Sequence, residues 1–318
     1  DMGTGLASAD YKTGVQANKG GDTVVDKAGH KIDVQGVKIN VSNANITTTG
    51  AATIKANANT DAVIKVGNAP AGATSVGSTV GLLDVKRNSG VNITGGNISA
   101  NNLTVGSDQS GTATVDVHQA AASGANFGLF YSGVHLSGNN DINIKGAQLS
   151  GKNGVSITTN DTTTASLQTV GGSFALTENA NIFVVDGKNE SSSSTITVAS
   201  DTDGKKSALT SSDGDITITA KHGDGVTKTM TANIIPVSVA GVASGLGFNA
   251  MVEDNSITAV DIKNNQTIIA KNTVDINAEN NSVNEVTSVA TNAALGAAIG
   301  ATGVQVKGKA TSKLLVGN

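Results

Sequence analysis

The side chains able to do chemistry are few in this chain of 318 residues, and they are scattered. Cysteine is absent, which excludes a disulfide, a thiolate metal site and a cysteine nucleophile. The four histidines, His30, His118, His135 and His222, never fall three or four residues apart, so none offers the paired imidazoles of a zinc motif. Gly146–Lys152 and Gly303–Lys309 both fit G-x-x-x-x-G-K, a phosphate-cradling loop. Each lacks the hydroxyl that would bind magnesium, with Asn153 and Ala310 in its place. Gly245-Leu-Gly247-Phe-Asn-Ala250 imitates a dinucleotide fingerprint, but no strand–helix alternation surrounds it. Asp201 with Asp203, and Asp213 with Asp215, set two carboxylates close enough to share a calcium ion. Aspartates in turns cap the backbone without a metal, and that plainer role is the expected one. Arg87, the sole arginine, is the base that a polysaccharide lyase would need, but no acid cluster recurs beside it. No catalytic, cofactor-binding or metal-ligating residue is assigned, no cofactor is implied, and an enzyme is not expected.

Composition narrows the partners. Net charge is −4, and charged residues are 14% of the chain where about 25% is usual. A basic nucleic-acid footprint is missing, so no nucleic acid partner is expected. Aromatics are 2% and tryptophan is absent, which disfavours stacking platforms for sugars or single strands. Two prolines against 39 glycines suit short strands joined by tight turns. Few aromatics and many polar residues also suit disorder, but the 38% hydrophobic content sits in ordered alternation.

That alternation is what must position everything else. Thr267–Ala278 reads as a short strand with Ile268, a polar corner at Lys271–Thr273, and a second strand with Val274 and Ile276. The same order recurs at Ala44–Ala56, Gly96–Val105, Gln148–Thr159 and Ala208–Ala220. The closing residues Ile54, Val105, Ile157, Ile218 and Ile276 lie 51, 52, 61 and 58 apart. Upstream of each copy stands another alternating pair: Val37/Ile39, Val91/Ile93, Ile142/Ile144, Ile196/Val198 and Val260/Ile262. Downstream comes a run of small residues, clearest at Ala120–Gly128, Val237–Gly247 and Ala290–Gly303. Whether these Ala/Gly runs form strands or short helices is left open by the pattern, since alanine favours helix locally. Each unit of about 55 residues predicts two to three coils of a parallel β-helix, at roughly 20 residues per coil.

On these segments the chain resembles the repeat regions of large bacterial exoprotein adhesins of the filamentous-haemagglutinin type, exported by two-partner secretion. Ile268–Ala278 and Leu149–Thr159 carry the short-repeat resemblance. The longer unit with its small-residue run, as in Ser288–Gly303, is similar to the leukotoxin-type filamentous adhesins. The resemblance implies a secreted or cell-surface location and an outer-membrane partner transporter for the parent protein. It also implies a host-cell surface, matrix protein or glycan as the contact. It carries no functional residue to transfer.

The fold expected is therefore all-β: one right-handed parallel β-helix, or solenoid, with polar loop insertions and small-residue runs. Residues 1–30 read as a leading segment, or as part of a coil whose start is cut away, with Val24–Val25 and Ile32–Val34 opening the first coil. Asp1–Gly29 shows no signal peptide, so the chain reads as a piece of something longer. Residues 31–318 form the repeat array of about five units. The array predicts roughly 14 coils and a rod near 70 Å long, at 4.8 Å per coil. Asn68–Gly81, with Pro70, is expected to loop beside the axis. The five phenylalanines (127, 130, 174, 183, 248) are expected to pack inside against small neighbours, rather than form an adhesive patch. Lys188–Ser194 and Thr202–Lys206 are expected to project as polar loops and are the first candidates for a recognition surface. Ile234–Val252 is uncharged and long enough for a membrane span, but its recurrence in shorter form points to structure, so no membrane insertion is expected. The functions left standing are a structural and adhesive shaft mediating attachment to host or neighbouring cells, an inert stalk of a secreted toxin-delivery protein, and a polysaccharide-degrading enzyme.

Overall fold

The alternating Ile/Val pairs become strands because each buries one face and pairs its backbone with the equivalent strand of the next repeat. The computed structural model describes residues 10–13, 23–25, 31–33 and 36–317, and these contain strands and no helix. Successive repeats pair in parallel and in register. Ile54 lies beside Val105, Val105 beside Ile157, Ile157 beside Ile218, and Ile218 beside Ile276. Ile46, Ile98, Leu149, Leu209 and Ile268 form a second such column. The five copies of the repeated stretch thus stack on one another.

The stacking corrects the expected coil. Hydrogen-bonded neighbours lie 51 to 66 residues apart along the chain. One repeat therefore makes one wide layer, not two to three narrow coils. The described chain has five layers, with Thr311–Val316 beginning a sixth. Five layers at about 4.8 Å each span ~25 Å, not the 70 Å expected from narrow coils. The fourth layer is the longest because it carries two loops: residues 200–207, before Ala208–Ser211, and 223–229, before Met230–Ala240.

Within a layer the strands enclose two apolar cores. The first lies among the repeated pairs, where Ile93, Ile144, Val198, Leu149, Leu209 and Ile157 are buried. The second lies where residues 113–119 and their stacked equivalents face residues 130–136 and theirs, and holds Val115, Leu167, Ile234, Phe130, Phe183 and Phe248. Phe130 and Phe183 stack with ring centroids 4.0 Å apart. Each fully buried Ile or Leu contributes about 1.5–3 kcal/mol of transfer free energy, so the columns carry most of the stabilisation.

A belt of buried polar groups separates the cores. Gln109 Nε2 donates to Ser89 Oγ (2.6 Å), and Asn140 Nδ2 donates to the carbonyls of Ser107 and Asn160 (both 3.0 Å), tying opposite walls together. Polar ladders also run along the stack. Asn92 Nδ2 donates to Asn40 Oδ1 (2.9 Å) and Asn143 Nδ2 to Asn92 Oδ1 (3.0 Å). Inside, Asn126 Nδ2 donates to Asn179 Oδ1 (2.9 Å). Identical amides one layer apart each supply the other's missing partner.

Corners set by backbone conformation separate the sides. The corner after the first apolar pair needs a left-handed residue, and Asn43, Gly95, Gly146 and Asn265 supply it in four layers. A second constraint is close approach: a Cβ on Gly138, whose φ is 132°, would lie 1.6 Å from the Arg87 carbonyl oxygen.

Other expectations change for physical reasons. The first apolar pair in register is Ile39/Val41, not Val37/Ile39. The Asn68–Gly81 stretch is strand except at Ala69 and Pro70, because its neighbours in the second layer pair with it. The Ala/Gly runs are strands: Thr291–Ala294 and Ala297–Gly308 pair with the layer beneath, and the ladder overrides alanine's helix preference. Ile234–Val252 spans two strands of alternating burial, and no helix among the described residues is long and apolar enough to cross a membrane. Pro236 lies where Met230–Ala240 skips a pairing with the fifth layer, as its missing N–H requires. Residues 188–194 do not project: Glu178–Ala199 is one strand, with Asn189, Ser192 and Ser194 buried. Thr202–Lys206 does project and is exposed. Thr23–Val25 and Lys31–Asp33 form a separate antiparallel pair, so Val24, Val25 and Ile32 do not open the first layer; Val34 lies outside the described residues.

Ile157 is fully buried and Ile182 is 55% exposed, although both alternate in similar strands. Ile157→Ala is expected to cost about 2–5 kcal/mol and Ile182→Ala less than about 0.5 kcal/mol. Urea unfolding midpoints check the contrast, and Gly138→Ala should fall with Ile157→Ala.

Candidate functional site

The only arginine is inside. Arg87 is 2% exposed, with Nη1 3.4 Å from Asp161 Oδ1. His222 Nδ1 lies 3.5 Å from Asp161 Oδ2, and all three side chains are buried in the polar belt. Burial pushes the Asp161 carboxyl up, but the Arg87 guanidinium and His222 outweigh it and hold the group well below the usual carboxylate range. Arg87 is thus enclosed away from the surface, as the counter-ion of Asp161.

The remaining candidates separate. His118 is half-exposed beside Asp116. His30 lies outside the described residues. Asp201 Oδ1 accepts from the N–H groups of Asp203 (3.0 Å) and Lys205 (2.8 Å), closing the loop that holds Thr202–Lys206. Asp215 Oδ1 accepts from Thr273 N (2.9 Å), and Asp213 faces Lys152 at 3.8 Å. Asp201 thus caps its own turn, Asp215 caps the corner of the next layer, and Asp213 pairs with a lysine. Gly146 is a corner residue, and Gly303 and Gly245 lie in strands, so the three glycine motifs belong to the repeat. Among the described residues no three His, Cys, Asp or Glu side chains converge as metal ligands would.

What the fold does assemble is an outer strip. Residues 76–84, 127–135, 180–188, 245–253 and 299–307 run side by side, one stretch per layer. Their inward residues form the second core, so their alternate residues face out. Val76, Val80, Leu82, Phe127, Leu129 and Ile182 are exposed there. Contiguous apolar surface on a single face is the usual mark of a contact site. Phe127 belongs to it, and Phe174 is 51% exposed in a trough of 490 Å³ beside Pro70 and Ala121. Packing thus accounts for Phe130, Phe183 and Phe248 but not for these two.

A charged row borders the strip. Asp84, His135, Lys188, Glu253 and Lys307 are stacked neighbours, one per layer. His135 Nδ1 lies 3.0 Å from Asp84 Oδ1, and its Nε2 faces Asp186 Oδ2 at 3.6 Å. Lys188 Nζ donates to Asp186 Oδ2 (2.8 Å). The Asp186 and Asp84 carboxylates beside the ring push the His135 pKa up to about 9 against the opposing effect of burial. The imidazole is therefore charged at neutral pH. Desolvation raises the Asp186 carboxyl, while His135 and Lys188 lower it further, leaving it depressed. Lys188, expected in a projecting loop, is instead a fixed member of this row. The row was invisible in the sequence because its members lie in five different repeats, and only the register brings them together. Comparison with protein families, with characterised proteins and with solved structures gives no match.

Two outcomes follow. Arg87→Ala should cost about 3–5 kcal/mol by stranding a buried carboxylate, and the Arg87→Met, Asp161→Leu double variant should recover most of it; both are read from denaturant unfolding. Because its folded pKa is raised, His135 contributes stability that is complete below its ordinary pKa of 6.5 and is lost as pH rises through about 9. The melting temperature should fall between pH 7 and pH 10, and His135→Gln should flatten that fall.

Proposed function

We propose that the chain is a segment of a right-handed parallel β-helix serving as a structural and adhesive shaft of a secreted or surface-attached bacterial protein. The observation that carries this reading is the register. Five repeats stack as successive layers of one array, and that array holds an exposed apolar strip along its side. A stack of this kind is a rigid spacer, because every backbone group in its interior is paired above and below. The low charge and the Asn ladder support it as a surface stable without disulfides. Resemblance to filamentous-haemagglutinin-type repeats supports the location and the attachment role. On this reading the contact region is the strip centred on Phe127, Leu129 and Ile182, with the Thr202–Lys206 loop as a second exposed feature. The burial of Arg87 weighs against the enzyme alternative.

Binding of the purified chain to host cells, matrix proteins and immobilised glycans tests the proposal. Saturable binding is expected, with Leu129→Glu lowering it at least about tenfold and deletion of Thr202–Lys206 leaving it within about twofold, since a hot spot is an apolar anchor more often than a polar loop. A folded chain that binds none of these would remove the adhesive role and leave only the shaft.

A further inference from the structure

The outer strip is self-complementary when its layer order is reversed. Consider two copies laid face to face, related by a two-fold axis along the third layer's strand. The first layer of one copy then meets the fifth of the other, the second meets the fourth, and the third meets itself. Each stacked column meets the same column of the second copy.

Shape fits in this arrangement. The bulky side chains are concentrated in the second layer, at Phe127, Leu129 and Tyr131. Their column neighbours in the fourth layer are Gly245, Gly247 and Asn249. Reversal places Phe127 over Gly245, Leu129 over Gly247 and Tyr131 over Asn249. The third layer brings Ala180 and Ile182 onto their own copies, and the ends match Val76 with Ile299.

Charge fits as well. Along the bordering row the signs run minus at Asp84, plus at His135 and Lys188, minus at Glu253 and plus at Lys307. Reversal sets Asp84 against Lys307 and His135 against Glu253, each twice. The like pairs fall on the axis: Lys188 meets Lys188 and Asp186 meets Asp186, and each ammonium is held by its own copy's Asp186 at 2.8 Å, so the charges there are paired within each copy. Glu253 is bonded within its own copy to Lys309 (2.7 Å) and keeps its charge for the contact. A two-fold axis along the stack would instead reverse the columns and set this charged row against the column of Val76, Phe127 and Ile299. The strip is about ten residues wide and five layers tall, or about 800 Å² at ordinary strand spacings, which is what one partner of a stable dimer buries.

We infer that this face is a homotypic interface, and that its occupant is a second copy of the chain packed antiparallel. A strip packed on a second copy is closed to a receptor, so the two are alternative occupants of this face, and sedimentation of the chain alone tests only the second copy. The antiparallel sense is the one that joins rods pointing toward each other, so it also suits contact between opposed surfaces.

Sedimentation velocity of the purified chain, of Asp84→Lys, of Lys307→Asp and of an equimolar mixture of the two variants tests it. The unmodified chain is expected to dimerise below about 50 µM, since an interface of this area commonly supports micromolar affinity or better. Each variant alone faces like charges at both ends and should associate at least about tenfold more weakly. Mixing restores opposite charges at both ends and should recover the dimer. Circular dichroism confirms that both variants fold, which their outward positions favour. A monomer at about 50 µM, a dimer indifferent to both substitutions, or folded variants that fail to recover on mixing would each overturn the inference. End-to-end association through open strand edges would give the second of these results.

Discussion

The parallel, in-register ladder is the interaction on which the rest depends. Each strand supplies its N–H and C=O groups to the layers above and below, so a residue's neighbours along the stack are its counterparts in other repeats. That places like beside like. The requirement suits β-branched aliphatics, which pack in columns, and amides, which bond to their own kind. It is costly for charges, which must alternate or be paired. The apolar columns through Ile157, the Asn40–Asn92–Asn143 ladder and the row through His135 and Lys188, each paired with a carboxylate, are three solutions to this one constraint.

The constraint also explains the interior. A layer of more than fifty residues encloses more width than one apolar core fills with few aromatics. The cross-section is divided instead: two aliphatic cores with a polar belt between them. Where the belt holds charge, Arg87 and Asp161 stand close enough to compensate one another, with His222 beside the carboxylate. Burying an arginine is tolerable only in that company. The Phe130–Phe183 stack fills the second core where the opposite wall is Gly171, whose missing side chain makes room for the rings.

Outside, the ladder turns a scattered sequence into a surface. Phe127, Leu129 and Ile182 are isolated apolar residues in strands that otherwise alternate normally. Register gathers them into one strip and gathers Asp84, His135 and Lys188 into its border. The long insertions sit at corners, at residues 200–207 and 223–229, and an extra residue within a strand, Glu190, is taken up by a bulge between Asn189 and Ser191, since an unabsorbed residue would shift every column beyond it to the opposite face.

Alternation and recurrence alone determined that the chain is all-β, that one stretch recurs five times, and which aliphatics line the first core. Ile54, Val105, Ile157, Ile218 and Ile276 could be aligned by eye because burial at a period of two is a local property. Only the tertiary structure decided the circumference of a layer, because closure depends on which distant strand the chain returns to, and that leaves no mark in a window of ten residues. The same distance hid the second core, where small-residue runs pack against strands fifty residues away. It hid the inward turn of Ser192 and Ser194, whose polarity reads as solvent-facing until a polar belt is known to exist. And it hid the contact strip, since a side chain's neighbours across a parallel ladder are fixed by register and not by sequence separation.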